Sequence, residues 1–126
     1  MILNQISTVH APAAIGPYSQ AVLAGNTLYC SGQIPLIPET GEMIDGGIEE
    51  QTVQVLENLR QVLAAAEFTF SMVAKTTIYL QDLGHFSVVN EIYGKYFSAT
   101  APARATVQVA ALPKGALIEI DAVAVK

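Results

Sequence analysis

Between Ile48 and Ala66 the inward-type residues recur three or four apart, at Ile48, Thr52, Val55, Leu56, Leu59, Val62, Leu63 and Ala66, which marks one face of an α-helix. Glu49 and Glu50 fall in its first turn, where each complements the positive end of the helix dipole by ~0.3–1 kcal/mol when exposed. A helix with so complete an apolar stripe requires a broad apolar surface to cover. The flanking segments supply it, because their pattern changes to that of strands.

Residues 18–24 and 27–33 read as two strands, joined through Gly25-Asn26, a pair that permits positive φ in a tight hairpin. Pro35, Pro38 and Gly41 then punctuate a loop, with a turn over Pro38-Glu39-Thr40-Gly41. Residues 72–80 are rich in β-branched side chains and read as a strand with Val73, Lys75, Thr77 and Tyr79 on one face. Asp82 is placed to cap a second helix whose stripe runs through Phe86, Val89, Tyr93 and Tyr96 or Phe97. Gly94 weakens that helix by ~1 kcal/mol relative to alanine. Pro102 ends the helical region, and residues 104–109 and 117–125 read as two further strands, connected through Leu112-Pro113-Lys114-Gly115. The order strands, helix, strand, helix, strands predicts an α+β fold, with two helices on one face of a mixed β-sheet and the other face open to partners. A length of 126 residues fits a single domain spanning residues 1–126.

Hydrophobic residues make up 52% of the chain and charged residues 13%, too little charge to cover a monomer's surface comfortably. The apolar excess predicts a homo-oligomer. A net charge of -5, with six scattered lysines and arginines, argues against nucleic-acid binding, which needs a clustered basic face. No charged side chain precedes Glu39, but Pro12, Gly16, Pro17 and Gly25 interrupt the stretch, so no membrane segment is expected. Cys30, the sole cysteine, excludes an internal disulfide, reads as a small buried hydrophobe and suits a reducing, cytoplasmic setting. His10 and His85 have no carboxylate at ligand spacing, and no glycine-rich phosphate loop is present, so neither a metal nor a nucleotide cofactor is expected.

Arg104 opens an otherwise neutral strand and shares its side with Thr106 and Gln108. It reads either as half of a structural salt bridge or a solvated strand end, or as a fork that grips a substrate carboxylate through parallel hydrogen bonds. Glu119 and Asp121 share one face of the last strand. If the last two strands pair as a hairpin, Glu119 lands near Thr106 and Asp121 near Arg104, bringing cation and carboxylates to one patch. This patch reads either as an Arg104–Asp121 surface pair or as a site in which Glu119 is a general acid/base. Tyr18, after Gly16-Pro17, and Ser31-Gly32, where a missing side chain lets a ligand approach the backbone, are weaker candidates.

These segments resemble the RidA (YjgF) family along nearly the whole chain. The resemblance runs from Ala11-Pro12-Ala13-Ala14-Ile15-Gly16-Pro17-Tyr18 through Ser31-Gly32-Gln33-Ile34-Pro35 to Pro102-Ala103-Arg104-Ala105-Thr106-Val107-Gln108-Val109 and Ile118-Glu119-Ile120. Lys75-Thr76-Thr77, Asp82-Leu83, Phe86 and Asn90 match as well. The resemblance implies a chorismate mutase-like fold, a homotrimer with clefts between subunits, and cofactor-independent hydrolysis of 2-imino acids to 2-oxo acids and ammonia. It further implies that Arg104 holds the substrate carboxylate, that Glu119 orients or activates water, and that Tyr18, Ser31, Gly32, Asn90 and Thr106 line the cleft. Two positions depart from the pattern. Thr106 stands where some relatives carry cysteine, and Glu67 stands where glycine often follows the first helix, so that helix end must strain or close differently. A non-catalytic module that senses 2-oxo acids fits Arg104 equally well, and a ribonuclease or translation inhibitor fits the acidic composition poorly.

Overall fold

A computed structural model describes residues 2–126. Strands β1 (Leu3–Ile6), β2 (Ala21–Ala24) and β3 (Thr27–Gln33) precede helix α1 (Ile48–Ala65). Strand β4 (Val73–Leu80), helix α2 (Phe86–Tyr96), β5 (Ala103–Gln108) and β6 (Ile118–Val125) follow. The strands form one six-stranded sheet in the order β1-β2-β3-β6-β4-β5. Only β4 and β5 run parallel, as expected for two strands joined by a crossing helix, and every other neighbour is antiparallel. The α+β architecture with a mixed sheet and two helices is thus the one the periodicity predicts.

α1 packs Val55, Leu56, Leu59, Val62 and Leu63 against Leu28, Ile78, Ile118 and Ile120 of the sheet, all buried, and α2 adds Val89 and Tyr93. Apolar contact of this kind stabilises by roughly 25 cal/mol per Å² removed from water, which is why the alternating rows of β4 and β6 turn their aliphatic members toward the helices. The opposite face carries Tyr29, Thr77, Tyr79, Glu119, Asp121 and Val125 and has no covering layer among the described residues; Tyr29 remains 54% exposed there.

Several local expectations change. The hairpin over Gly25-Asn26 forms, with Gly25 at φ 62 and Ala24 paired to Thr27, but β2 starts at Ala21, and residues 18–20 lie outside it. β1 carries no readable sequence signal, because its four residues are mostly exposed on the sheet edge. Val73 does not share a face with Lys75, Thr77 and Tyr79: a register shift between Val73 and Lys75 turns Val73 into the core. Asp82 caps a short 3-10 turn, Leu83–His85, by accepting from the Gly84 amide at 2.8 Å, and α2 starts only at Phe86. Phe86 lies on the stripe of Val89, Tyr93 and Phe97 but, at the first residue of α2, remains 39% exposed.

The largest correction concerns the last two strands. They do not pair as a hairpin, because β4 lies between them. The reason is the α2 crossover, which lays β5 parallel to β4 on the outer edge, so that the Leu112–Gly115 connection must carry the chain past β4 to reach β6.

The end of α1 resolves the position of Glu67. The Phe68 amide donates to the Leu63 carbonyl and the Glu67 amide to the Ala64 carbonyl, each at 2.9 Å. This is a Schellman closure, with Glu67 held at φ 63 where glycine is the unstrained choice.

Candidate functional site

The register fixes where each chemical group points. Arg104 lies level with Thr76 and Thr106 with Ile78, on the helix-covered side, whereas Glu119 lies level with Tyr79 and Asp121 with Thr77, on the uncovered side. Arg104 and Glu119 of one chain therefore stand on opposite faces of the sheet, on strands separated by β4. The shared patch expected from a terminal hairpin does not exist within a single chain. The Arg104–Asp121 ion pair is likewise absent; Asp121 instead accepts a hydrogen bond from the Tyr79 hydroxyl at 2.9 Å.

Glu119 belongs to a cavity of about 600 Å³ walled by Pro12, Ala13, Ile15, Tyr18, Ser31, Gly32 and Lys114, among others. Gly32 makes the space for its carboxylate. A Cβ there would sit 2.8 Å from Glu119 Cδ and 3.0 Å from Cγ. The glycine was expected to admit a ligand to the backbone, and the structure fills that space with the glutamate itself. The strand irregularity between Cys30 and Gln33 accompanies this packing. Half-burial, and then the nearby Asp121 charge, push the Glu119 carboxyl above its ordinary value, in the direction that favours holding a proton.

The cavity wall before β2 is held from below. Ser31 donates its hydroxyl to the Ser19 carbonyl at 2.6 Å, so this side chain secures the loop that presents Tyr18. Gln20, buried and not singled out from sequence, accepts from the Thr8 amide at 2.7 Å and donates to the Pro12 carbonyl at 2.8 Å. Nothing in a one-dimensional pattern marks a buried glutamine, since its partners are main-chain groups eight and twelve residues away. Tyr18 is 54% exposed at the mouth.

The second half of the candidate set surrounds Arg104. A cavity of about 430 Å³ is lined by Asn90, Tyr93, Gly94, Phe97, Ala101, Pro102 and Arg104. The guanidinium donates to Asn90 Oδ1 at 2.7 Å and lies over the rings of Tyr93 and Phe86, 5.0 and 5.4 Å from their centroids. No carboxylate lies within ion-pair distance of it among the described residues, the sole pair being Arg60–Glu57. Thr106, two residues along the same side, has a buried hydroxyl without a hydrogen-bond partner. Cys30 is buried, and burial pushes its thiol up to about 12, so it is no nucleophile at ordinary pH.

The seven candidates thus divide into two half-sites. Tyr18, Ser31, Gly32 and Glu119 meet at one cavity, and Asn90 and Arg104 at the other, with Thr106 beside Arg104 on β5.

Similarity to known proteins covers the whole chain. Residues 8–126 match the family described as Endoribonuclease L-PSP. The human 2-iminobutanoate/2-iminopropanoate deaminase is 52% identical over 126 residues, covering 100% of this chain and 92% of that protein. Among solved structures, RidA from an Antarctic Psychrobacter superposes with a TM-score of 0.94 at 46% identity, over 98% of this chain and 99% of that one. TdcF of E. coli with bound serine superposes with a TM-score of 0.93 at 41% identity, over 98% of each chain. Matched by that family over all but its first seven residues, and by relatives of about half-identical sequence from end to end, the chain belongs to the Endoribonuclease L-PSP family, that of RidA.

Proposed function

We propose that this protein hydrolyses 2-imino acids, such as the imine tautomer of 2-aminoacrylate and 2-iminobutanoate, to 2-oxo acids and ammonia, in clefts built where two copies of the chain meet. The observation that carries the reading is the pairing of two incomplete half-sites: an arginine with no acidic partner on one face, and a half-buried glutamate with a raised pKa on the other. A symmetric assembly brings the Arg104 face of one copy against the Glu119 face of the next, and three such contacts close a ring as a homotrimer. The uncovered sheet face, with Tyr29 and Val125 exposed, and the low charge content support association.

Arg104 takes the substrate carboxylate through charge-assisted hydrogen bonds worth ~1.5–3 kcal/mol each. The imine carbon then lies beside a water held by Glu119. Water adds to the C=N bond of the N-protonated imine while its proton passes to Glu119, giving a neutral carbinolamine. Glu119 returns that proton to nitrogen, and as the C–N bond breaks and ammonia leaves, the Glu119 carboxylate takes the hydroxyl proton, the C=O bond forms, and that proton passes to solvent. Because free imines already hydrolyse in water, positioning and an acid/base contribution of ~10²–10⁴-fold suffice. The chemistry calls for neither metal nor organic cofactor. Tyr18, Gly32 and Thr106 line the cleft, while Ser31 and Asn90 act by holding neighbouring groups. The chain's acidic balance weighs against nucleic acid as substrate, no helix among the described residues is long and apolar enough to cross a membrane, and a reducing cytoplasm suits its single buried thiol.

The test is complementation between inactive variants. Arg104→Ala and Glu119→Gln are each expected to lose catalysed keto-acid release from 2-aminoacrylate generated by a serine dehydratase. Unfolded together in equal amounts and co-refolded, they should recover about a quarter of wild-type activity, since each cleft has a one-in-two chance of each intact half. No recovery from a correctly assembled mixture refutes the shared cleft. Full keto-acid release by Glu119→Gln refutes the hydrolytic role, and retained 2-oxo acid binding without turnover in the wild type favours a sensor.

A further inference from the structure

Three residues of α2, Phe86, Asn90 and Tyr93, follow one another at i, i+4 and i+7, so they share a helix face, and that face is turned onto Arg104. None carries a charge. A guanidinium so placed ordinarily takes an aspartate or glutamate. The nearest acid in the helix sequence, Glu91, is exposed and not paired with it. Instead one N–H is taken by an amide oxygen, and the guanidinium carbon lies over two rings. Such contacts attract a cation without neutralising it. An arginine has five N–H donors, and the Asn90 hydrogen bond occupies one, leaving others free for a carboxylate.

The inner ring is itself fixed. Tyr93 is 5% exposed, its hydroxyl shares a 2.6 Å hydrogen bond with the buried Thr76 of β4, and its ring stacks 4.4 Å from Phe97, which meets Phe70 edge-on at 5.0 Å. The platform under the guanidinium is therefore anchored both to the sheet and to the aromatic cluster at the end of α2.

We propose that Phe86, Asn90 and Tyr93 form a charge-neutral clamp that orients Arg104 while keeping its charge available for an incoming carboxylate, with Tyr93 as the positioning residue. Asn90 and Tyr93 then act on the substrate through the arginine. This inference rests on Arg104 being the anion grip of the proposed function. It adds that the neutrality of position 90 and the ring at position 93 set the affinity.

The experiment measures binding of 2-oxobutanoate, a stable carboxylate product, to the assembled full-length protein by calorimetry, alongside thermal unfolding and steady-state kinetics. Asn90→Asp places a carboxylate where the amide oxygen lies 2.7 Å from the guanidinium. Binding is expected to weaken about 10- to 100-fold while the melting temperature holds or rises, since the same ion pair that steadies the fold occupies the grip. A merely structural asparagine would not move the two readouts in opposite directions. Tyr93→Leu, which removes the ring, should raise KM roughly 3- to 30-fold with kcat little changed. Tyr93→Phe, which keeps the ring and loses only the Thr76 hydrogen bond, should bind nearly as the wild type does. Wild-type affinity in Asn90→Asp overturns the clamp, and so does equal behaviour of the two Tyr93 variants, which decides the matter even if Asn90→Asp fails to fold. Arg104→Ala separates the levels. If it abolishes binding while Asn90→Asp leaves binding intact, the clamp alone falls; if it binds normally, the anion grip falls and the clamp with it.

Discussion

Gly32→Ala isolates the placement of Glu119 from the rest of the molecule. The new methyl would meet Glu119 Cδ at 2.8 Å, closer than real Cβ atoms approach, and Cγ at a tight 3.0 Å, so one of the two must move. Glu119 is the one that can, because its clash is at the flexible end of a half-buried side chain beside a cavity of about 600 Å³. Pushing that side chain off its preferred rotamer costs ~0.5–1.5 kcal/mol. Replacing a strand glycine by alanine returns ~0.5–1 kcal/mol through the unfolded chain. The two nearly cancel, and stability should change by less than ~1 kcal/mol, a shift of a few degrees in Tm. Activity should not be spared. A carboxylate misplaced by ~1 Å costs about 100-fold, within the range expected for an acid/base group. Continuous assay of 2-oxo acid release should therefore show kcat lowered about 100-fold with affinity for 2-oxobutanoate retained, since Arg104 is untouched. Shortening the acid in the same background, as Gly32→Ala with Glu119→Asp, should lose less than the product of the single effects, because the shorter side chain withdraws from the methyl. Activity of Gly32→Ala within threefold of wild type would refute this account of why position 32 is glycine. A loss of several kcal/mol of stability would show that the backbone, not Glu119, gives way.

Glu67→Gly should stabilise the protein by ~0.5–1 kcal/mol, because a left-handed residue with a Cβ is strained by ~1–2 kcal/mol and the glycine loses part of that gain to chain entropy; an unchanged or lower denaturation midpoint would contradict the reading of φ 63. Glu119 also gives stability a pH signature. Its carboxyl is raised above 4.5 first by burial and then by Asp121, so folding favours the protonated form, and its stabilising contribution is complete below 4.5 and lost as pH rises through the folded-state value. Glu119→Gln, which cannot ionise, should gain melting temperature relative to the wild type as pH is raised across that window, and parallel Tm profiles would count against the assignment.

The helices and most strands were readable because their periodicity is set by burial on one face, and α1 presents that repeat without interruption over 18 residues. The candidate residues were identified as chemical types, but their grouping was not. A hairpin between β5 and β6 is the natural reading of adjacent strands joined by a Pro-Lys-Gly turn, and only long-range pairing decides that β4 enters between them. Because that insertion leaves Arg104 facing α2 and Glu119 facing away, one misplaced strand changes a compact site into two halves. Gln20 and the Thr76–Tyr93 pair were illegible for a related reason: polar residues become buried only through partners brought from elsewhere in the chain. The bulge that turns Val73 inward is likewise invisible to a strict two-residue alternation.

The sealed thiol of Cys30 decides how this chain meets oxidants. Oxidation of cysteine follows thiolate character and exposure, so an open, ionised thiol would be the first atom attacked. Here the sole sulfhydryl is buried among aliphatic neighbours and held in its unreactive protonated form, while position 106 offers an alcohol. The chain's single thiol is thereby withdrawn from oxidation while the fold stays closed.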